Sequence, residues 1–202
     1  MFDVSPLVLG VGLGLRHAAD ADHVAAVSTL LQAEASLWKA TRLALLWGAG
    51  HSVSFLGVGG AVILAGLHVP AGFEHAAELV IALMLIVLGL PQLRRRVREV
   101  SRPVSSARPI AIGIAHGLAG SAGVALLALA TIPSRHLAVL YLAMFALGTL
   151  AGMALLTTAL AGPLSWSGRG QGKTAIVMQR LPGALSVLVG GAICLDVLAE
   201  VR

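Results

Sequence analysis

Long apolar runs dominate this chain and most narrow the folds open to it. A transmembrane helix needs about 20 consecutive, mainly apolar residues. Six runs near that length follow one another, at residues 5–31, 43–67, 76–93, 109–132, 137–162 and 178–199. Hydrophobic residues occupy 57% of the sequence and charged residues only 11%, which excludes an ordinary soluble domain. The pattern predicts an all-α integral membrane protein whose six transmembrane helices form one domain over residues 1–202.

The basic residues indicate how the predicted helices are oriented. The first, third and fifth breaks between runs, together with Arg180 at the start of the sixth run, hold eleven Lys and Arg residues, whereas the predicted opposite side holds only Arg135 and Arg202. By the positive-inside rule the basic side is cytoplasmic. We therefore expect a multi-pass protein of the cell (inner) membrane with both termini outside. Basic residues in this arrangement report orientation in the lipid bilayer, so no nucleic-acid partner is expected.

A cluster of ionisable residues interrupts the first apolar run. Arg16, His17, Asp20, Asp22 and His23 fall within eight positions. Two Asp and one Arg facing lipid would cost about 8 to 10 kcal/mol on translocon scales, so we expect the cluster to face the protein interior. On a continuous helix His17, Asp20 and His23 share one face, whereas Asp22 points elsewhere and needs another helix or a local unwinding. Arg16 is expected to offset the charge of Asp20 in the absence of a cation.

The residue types in this cluster suit a metal ion. Neutral imidazole and carboxylate oxygen bind divalent Ni, Co, Zn and Fe(II). His17 would lie near the bilayer midplane, about 18 Å along the first span. The simpler alternative is that these side chains only join helices by hydrogen bonds. Ionisable residues inside a membrane are functional by default, which favours the metal site.

Two histidines in later runs are further candidate ligands. His51 follows small residues early in the second run. It could be a third or fourth ligand, a station on the exit path, or a side chain bonded to a backbone carbonyl. His116, in the fourth run, could be a ligand or only a polar contact between helices.

A faint internal repeat accompanies these histidines. Gly14-Leu15-Arg16-His17 is echoed by Gly113-Ile114-Ala115-His116, and Gly48 could match Gly148. With three runs per half, the halves would be inverted relative to each other, which is a transporter architecture with substrate held at the repeat interface. The halves would be residues 1–100 and 101–202.

The sequence carries no recognised catalytic motif. HExxH, GxSxG and the Walker A pattern are all missing. We therefore expect neither an enzyme, nor an ATP-driven pump, nor an organic cofactor. The lone Cys194 excludes intrachain disulfides and argues against a membrane redox protein that uses paired thiols. A homo-oligomer is compatible with the pattern.

The segment Arg16-His17-Ala18-Ala19-Asp20-Ala21-Asp22-His23-Val24 resembles the signature of the nickel/cobalt transporter family. Gly50-His51-Ser52 and Gly152-Met153 resemble two shorter motifs of that family. The short layout and the segment from His116 to Ser121 resemble its compact, urease-accessory-like branch. The resemblance implies that His17, Asp20, Asp22 and His23 bind the transported metal and that His51 contributes.

Two positions depart from the family pattern. The segment that aligns with the family's acidic motif, residues 119–123, holds no carboxylate, and Thr157 stands where an Asp usually follows the Gly-Met motif. These departures concern the second half of the transport path and the choice of metal.

The sequence thus predicts a transporter whose substrate is a divalent metal ion, Ni²⁺ or Co²⁺, taken up through a His/Asp site and released inward by rocking of the two halves. Efflux through the same site stays open, because the sequence does not fix direction. An accessory membrane subunit that delivers metal without carrying it across the bilayer is the other alternative.

Overall fold

The computed structural model describes residues 5–31, 36–66, 72–94, 106–119, 132, 134–167 and 173–201. All regular secondary structure in these ranges is helical, which confirms the all-α prediction. The helices in chain order are α1 (Ser5–His17), α2 (Ala21–Leu31), α3 (Leu37–Ala65), α4 (Phe73–Arg94), α5 (Ala107–Ala119), α6 (Arg135–Ser167) and α7 (Lys173–Glu200).

Four of the described helices are long and apolar enough to cross a membrane. They are α3, α4, the part of α6 over Arg135–Gly162 and the part of α7 over Gln179–Glu200, and they match the second, third, fifth and sixth predicted runs. Their outer faces carry apolar side chains that are about two-thirds exposed, such as Val53, Val87 and Leu155, as a helix bundle in lipid requires. Of the fourth run, only residues 109–119 and 132 are described. Six spans therefore stay a prediction.

The first apolar run is divided into two helices. Between α1 and α2 the amide N–H groups of Ala19 and Asp20 bond to the carbonyls of Arg16 and His17, at 2.9 and 3.0 Å. These are tight i to i+3 contacts that end α1. The Val24 amide then donates to the Asp20 carbonyl at 3.0 Å, so Asp20 lies at the start of α2, where Asp is favoured. The continuous helix assumed from the sequence is wrong here, and the local unwinding is what the structure shows.

Glycines allow two pairs of helices to approach at backbone distance. A Cβ atom at Gly14 of α1 would collide with the Phe145 carbonyl oxygen of α6. Likewise, one at Gly113 of α5 would collide with the Trp47 carbonyl oxygen of α3. Close packing of this kind is typical of membrane helices with small residues at their contacts. The α1–α6 and α3–α5 contacts fix the positions of the residues that follow Gly14 and Gly113.

These two helix contacts resemble each other in detail. A Cβ at Gly148 of α6 would meet the backbone oxygen of Val11, and one at Gly50 of α3 would meet that of Ile110. Gly50, and not Gly48, therefore holds the position equivalent to Gly148. The matched contacts favour an internal repeat, while the inverted 3+3 arrangement of the whole chain stays a prediction.

The remaining long helices, α4 and α7, pack against each other. The Ser186 hydroxyl of α7 donates to the Leu85 carbonyl of α4 at 2.8 Å. Cβ atoms at Gly89 and Gly183 would each meet the other residue's carbonyl oxygen, at 2.6 and 2.9 Å. Helix α2 packs against both members of the α4–α7 pair. Trp47, Leu85 and Met153 are among the fully buried side chains of the main core.

Candidate metal site

Four histidines from four helices converge in the protein interior. His17 lies at the last residue of α1, His23 in the first turn of α2, His51 in the middle of α3, and His116 near the end of α5. Each side chain is 7% exposed or less. The ring of His23 is central, with ring centroids 4.5 Å from His17, 5.2 Å from His51 and 4.3 Å from His116. We call these four residues together with Asp22 the histidine cluster.

The break between α1 and α2 explains how Asp22 joins the histidine cluster. Because α1 ends at His17 and a separate helix begins at Ala21, Asp22 does not follow the register of α1, and its side chain lies against His116 of α5. Its Oδ2 accepts a hydrogen bond from His116 Nε2 at 2.9 Å, and its Oδ1 lies 3.2 Å from His23 Nδ1. The carboxylate also accepts the His23 backbone N–H at 2.9 Å, near the positive end of the α2 dipole.

The polar atoms of the histidine cluster fall into two groups of three residues. One consists of His17, His23 and His51, and the other of Asp22, His23 and His116. Within each group, one candidate ligand atom per residue lies within 4.8 Å of the others. Ligands held about 2.0–2.1 Å from one ion lie about 3–4 Å apart. Small side-chain adjustments would therefore bring either group into coordination range.

Several imidazole nitrogens in the cluster are buried without a hydrogen-bond partner among the described residues. They are Nε2 of His23, Nδ1 of His116 and both ring nitrogens of His51. Buried polar atoms are normally hydrogen-bonded, and leaving one unpaired costs about 1–3 kcal/mol. A metal ion would satisfy one such nitrogen in each ring, because a neutral imidazole offers a lone pair on one nitrogen and keeps its proton on the other. Imidazole suits Ni, Cu, Zn and Fe, so the donor set fits a transition metal and not Ca²⁺ or Mg²⁺.

Asp20 lies beside the cluster and outside both groups. Its Oδ2 is 3.0 Å from His17 Nδ1, and its side chain is 43% exposed. A carboxylate bonded to one ring nitrogen fixes the orientation of an imidazole and increases its basicity as a ligand. In this conformation Asp20 can therefore hold His17 in position. The expected pairing of Asp20 with Arg16 is absent from the ion pairs of the described residues, and Arg16 is exposed.

Aromatic rings cover the cluster on two sides. Trp47 of α3 packs 5.4 Å from His23 and 5.6 Å from His116, measured between ring centroids. Phe145 of α6 packs 5.5 Å from His17. Apolar walls of this kind lower the local dielectric and limit the access of water. Trp47 and Phe145 were missed from the sequence, since an aromatic residue in an apolar run gives no sign of which neighbour it will touch.

The alternatives left open by the sequence are now narrower. His51 makes no hydrogen bond to a backbone carbonyl among the described residues. His116 does form a polar contact between helices, through Asp22, yet its Nδ1 stays unpaired in the same set. Five of the six candidate residues thus come together, and the sixth, Asp20, bonds to one of them. His75 lies elsewhere and pairs with Glu200 at 3.1 Å between α4 and α7.

The sequence is similar to that of a urease accessory protein, UreH, from Bacillus sp. (strain TB-90). The two chains are 30% identical over an alignment of 183 residues, which covers 82% of this chain and 80% of the relative. No protein-family model matches the chain. No solved structure matches it either.

Proposed function

Because this chain belongs to the UreH-like branch of the nickel/cobalt transporter family, we propose that it carries Ni²⁺ or Co²⁺ across the cell membrane through the histidine cluster. The residues proposed to bind the ion or to hold its ligands are His17, Asp20, Asp22, His23, His51 and His116. The metal is the substrate of transport, so no organic cofactor is required.

The main support for this proposal is the set of unpaired imidazole nitrogens buried between α2, α3 and α5. A cluster kept only to join helices would be expected to use both nitrogens of each ring in hydrogen bonds. In the described part of the chain, His51 uses neither nitrogen, while His23 and His116 each leave one unpaired. This pattern is expected of ligands that await a cation.

The charges of the site also suit a divalent ion. Asp22 and Asp20 place two carboxylates next to imidazoles that bind in their neutral form, so an ion of charge +2 would balance them. Entry of such an ion gains about 2 × 2.3, or roughly 4.6 kcal/mol, per 100 mV of inside-negative potential. At about 1.4 kcal/mol per tenfold change, that supports an accumulation on the order of a thousandfold. Uptake would then need no nucleotide and no partner protein.

The direction and topology are part of the proposal. We propose uptake, with both termini outside and Lys39, Arg42 and the basic residues around Arg94 in the cytoplasm. The ion would then reach His17 after the length of α1, 13 residues or about 20 Å, which is compatible with a site near the midplane. The matched contacts of α1 with α6 and of α5 with α3 support an inverted repeat around that site.

A transport assay with the purified chain tests the proposal. In liposomes under an inside-negative potential, the wild-type chain should accumulate radioactive Ni²⁺ or Co²⁺, and His23→Gln should not. His136→Gln is the matched control, because His136 is an exposed histidine at the start of α6, away from the cluster. Accumulation that is equal in wild type and His23→Gln would refute transport through this site.

A second candidate function is metal delivery without transport. It is favoured by the name of the relative, which describes a urease accessory protein. In that case the purified chain would bind Ni²⁺ with the same dependence on His23 but would show no flux in sealed liposomes. The liposome assay therefore separates the two functions, and binding at equilibrium alone does not.

A further inference from the structure

We infer that the histidine cluster holds two alternative positions for one cation and that His23 is a ligand in both. This inference rests on the proposed function, since it describes how the ion moves within the same site. The first position would be bounded by His17, His23 and His51, and the second by Asp22, His23 and His116. The ion would pass from Nε2 to Nδ1 of His23 while its other ligands exchange. The single ring proton would move from Nδ1 to Nε2, so that the imidazole stays neutral and offers its lone pair to the ion in each position.

The two nitrogens of His23 carry the argument. Its Nδ1 lies 3.2 Å from Asp22 Oδ1, and Asp22 in turn bonds to His116. That nitrogen therefore belongs to the second position. Its Nε2, on the other side of the ring, is buried and has no hydrogen-bond partner in the described part of the chain. Nε2 is the nitrogen left to serve the first position, with His51, whose ring nitrogens are also unpaired there.

The members of the two positions come from different parts of the structure. His17 lies on α1 against Phe145 of α6, with ring centroids 5.5 Å apart. His116 lies on α5 against Trp47 of α3, at 5.6 Å. The two contacts have similar centroid distances but different angles between the ring planes, 31° for His17 with Phe145 and 76° for His116 with Trp47, and they lie beside different helices. His23 on α2 is the one residue that both groups share.

The chemistry of the two positions also differs. The first offers three imidazoles and no charge, whereas the second offers two imidazoles and a carboxylate. Two cations of charge +2 on either side of one imidazole would repel each other strongly in a buried site. We therefore expect one ion per chain at a time, distributed between two ligand sets, and not a pair of bound ions.

Selective variants distinguish two positions from one. His51→Gln should disable the first position and His116→Gln the second, while the Gln amide at 116 can still donate to Asp22. With Co²⁺ as the probe, X-ray absorption of the detergent-purified chain counts the bound imidazoles from the outer-shell scattering of their rings. We expect His116→Gln to bind one Co²⁺ with three imidazoles, and His51→Gln to bind one Co²⁺ with two. His23→Gln and the double variant His51→Gln/His116→Gln should bind none.

The accumulation of Co²⁺ in liposomes is measured for the same variants. If the ion must use both positions, His51→Gln and His116→Gln should each bind Co²⁺ yet lose its accumulation in liposomes. His136→Gln should keep wild-type binding, absorption spectrum and flux. Size-exclusion chromatography checks folding, and His51→Asn or His116→Asn is used in place of a Gln variant that is polydisperse.

Three results would overturn the inference. In the first, His51→Gln or His116→Gln alone abolishes binding as completely as His23→Gln, which indicates one site built from all the ligands. In the second, the two single variants give the same Co²⁺ spectrum. In the third, either single variant transports like the wild type. If the wild-type chain transports Co²⁺ and one of these results is seen, only the two-position inference fails. If the wild type binds and carries no metal, the proposed function fails as well.

Discussion

Replacing Gly14 by Ala should damage the proposed metal site from a distance, although Gly14 has no side chain to bind a metal. A Cβ at this position would collide with the Phe145 carbonyl oxygen and lie 2.8 Å from the Thr149 backbone nitrogen. Both neighbours are backbone atoms of α6, which cannot move as a flexible side chain can. The methyl group reaches an ordinary contact of 3.4 Å with the Thr149 nitrogen only if α1 retreats by about 0.6 Å, and it must move further to clear Phe145.

The expected magnitude follows from this displacement. Overpacking of a close contact costs about 1–3 kcal/mol, against a gain of up to about 1 kcal/mol from the better helix propensity of Ala. His17 lies one turn further along α1 and would move with it. A binding site needs its ligands held within about 0.5 Å, so we expect Ni²⁺ affinity to fall on the order of tenfold.

Gly12→Ala is the matched control in the same helix. A Cβ at Gly12 has no atom within 4 Å, so Ala there should keep wild-type metal affinity and keep or slightly raise the melting temperature. For a chain of this size the melting temperature changes by about 2–4 °C per kcal/mol, so the melting temperatures of the two variants should differ by several degrees. Thermal unfolding in detergent and titration calorimetry with Ni²⁺ measure both effects. Equal stability and equal affinity in Gly14→Ala and Gly12→Ala would refute the packing argument.

Three other perturbations have defined outcomes. Asp20→Asn should weaken Ni²⁺ binding about 10- to 100-fold, because the carboxylate that orients His17 is lost. Titration calorimetry should show a smaller loss of affinity than for His23→Gln. An unchanged affinity would show that Asp20 is not part of the site. In a Cys194→Ser background, Lys39→Cys should not react with a membrane-impermeant thiol reagent added outside intact cells, whereas Glu200→Cys should react. The reverse pattern of labelling would show that the proposed topology is inverted. Acid should weaken Ni²⁺ binding in a pH series, since imidazole must lose its proton to bind; binding that strengthens in acid would contradict histidine ligation.

Much of the fold was predictable, because a transmembrane helix can be recognised from the length and apolar composition of its own segment. The runs that became α3, α4, α6 and α7 needed no knowledge of their neighbours. The division of the first run was not predictable in the same way. It depends on the hydrogen bonds of residues 18–20 and on the close packing of Ala18 against Gly152. A Cβ atom added at Gly152 would lie 2.6 Å from the Cβ of Ala18. A rotation of 100° per residue therefore misplaced Asp22.

The candidate site was predictable in its residue types and not in its arrangement. Histidines and aspartates in apolar runs stand out because lipid makes them costly. Which of them meet depends on helix packing, and that is set by contacts such as Gly113 with Trp47, which place His116 beside His23. The same reason explains why Gly48 was paired with Gly148 in place of Gly50. Identical glycines in an apolar run differ only in which helix they happen to face.

The pairing of α1 with α6 and of α3 with α5 has a mechanical consequence. The first helix of each half packs against a helix of the other half. Separating residues 1–100 from residues 101–202 would therefore break both of the close contacts made at glycines, α1 with α6 and α3 with α5. The mixed pairs, α1–α6 and α3–α5, meet through α3 and α6, where the Ser52 hydroxyl donates to the Ala146 carbonyl, so a shift of one pair past the other would have to break that contact. His17 would travel with one pair, while His51 and His116 would travel with the other. Such a shift would alter the 5.3 Å separation of the His17 and His51 rings and leave the spacing of His51 from His116 unchanged.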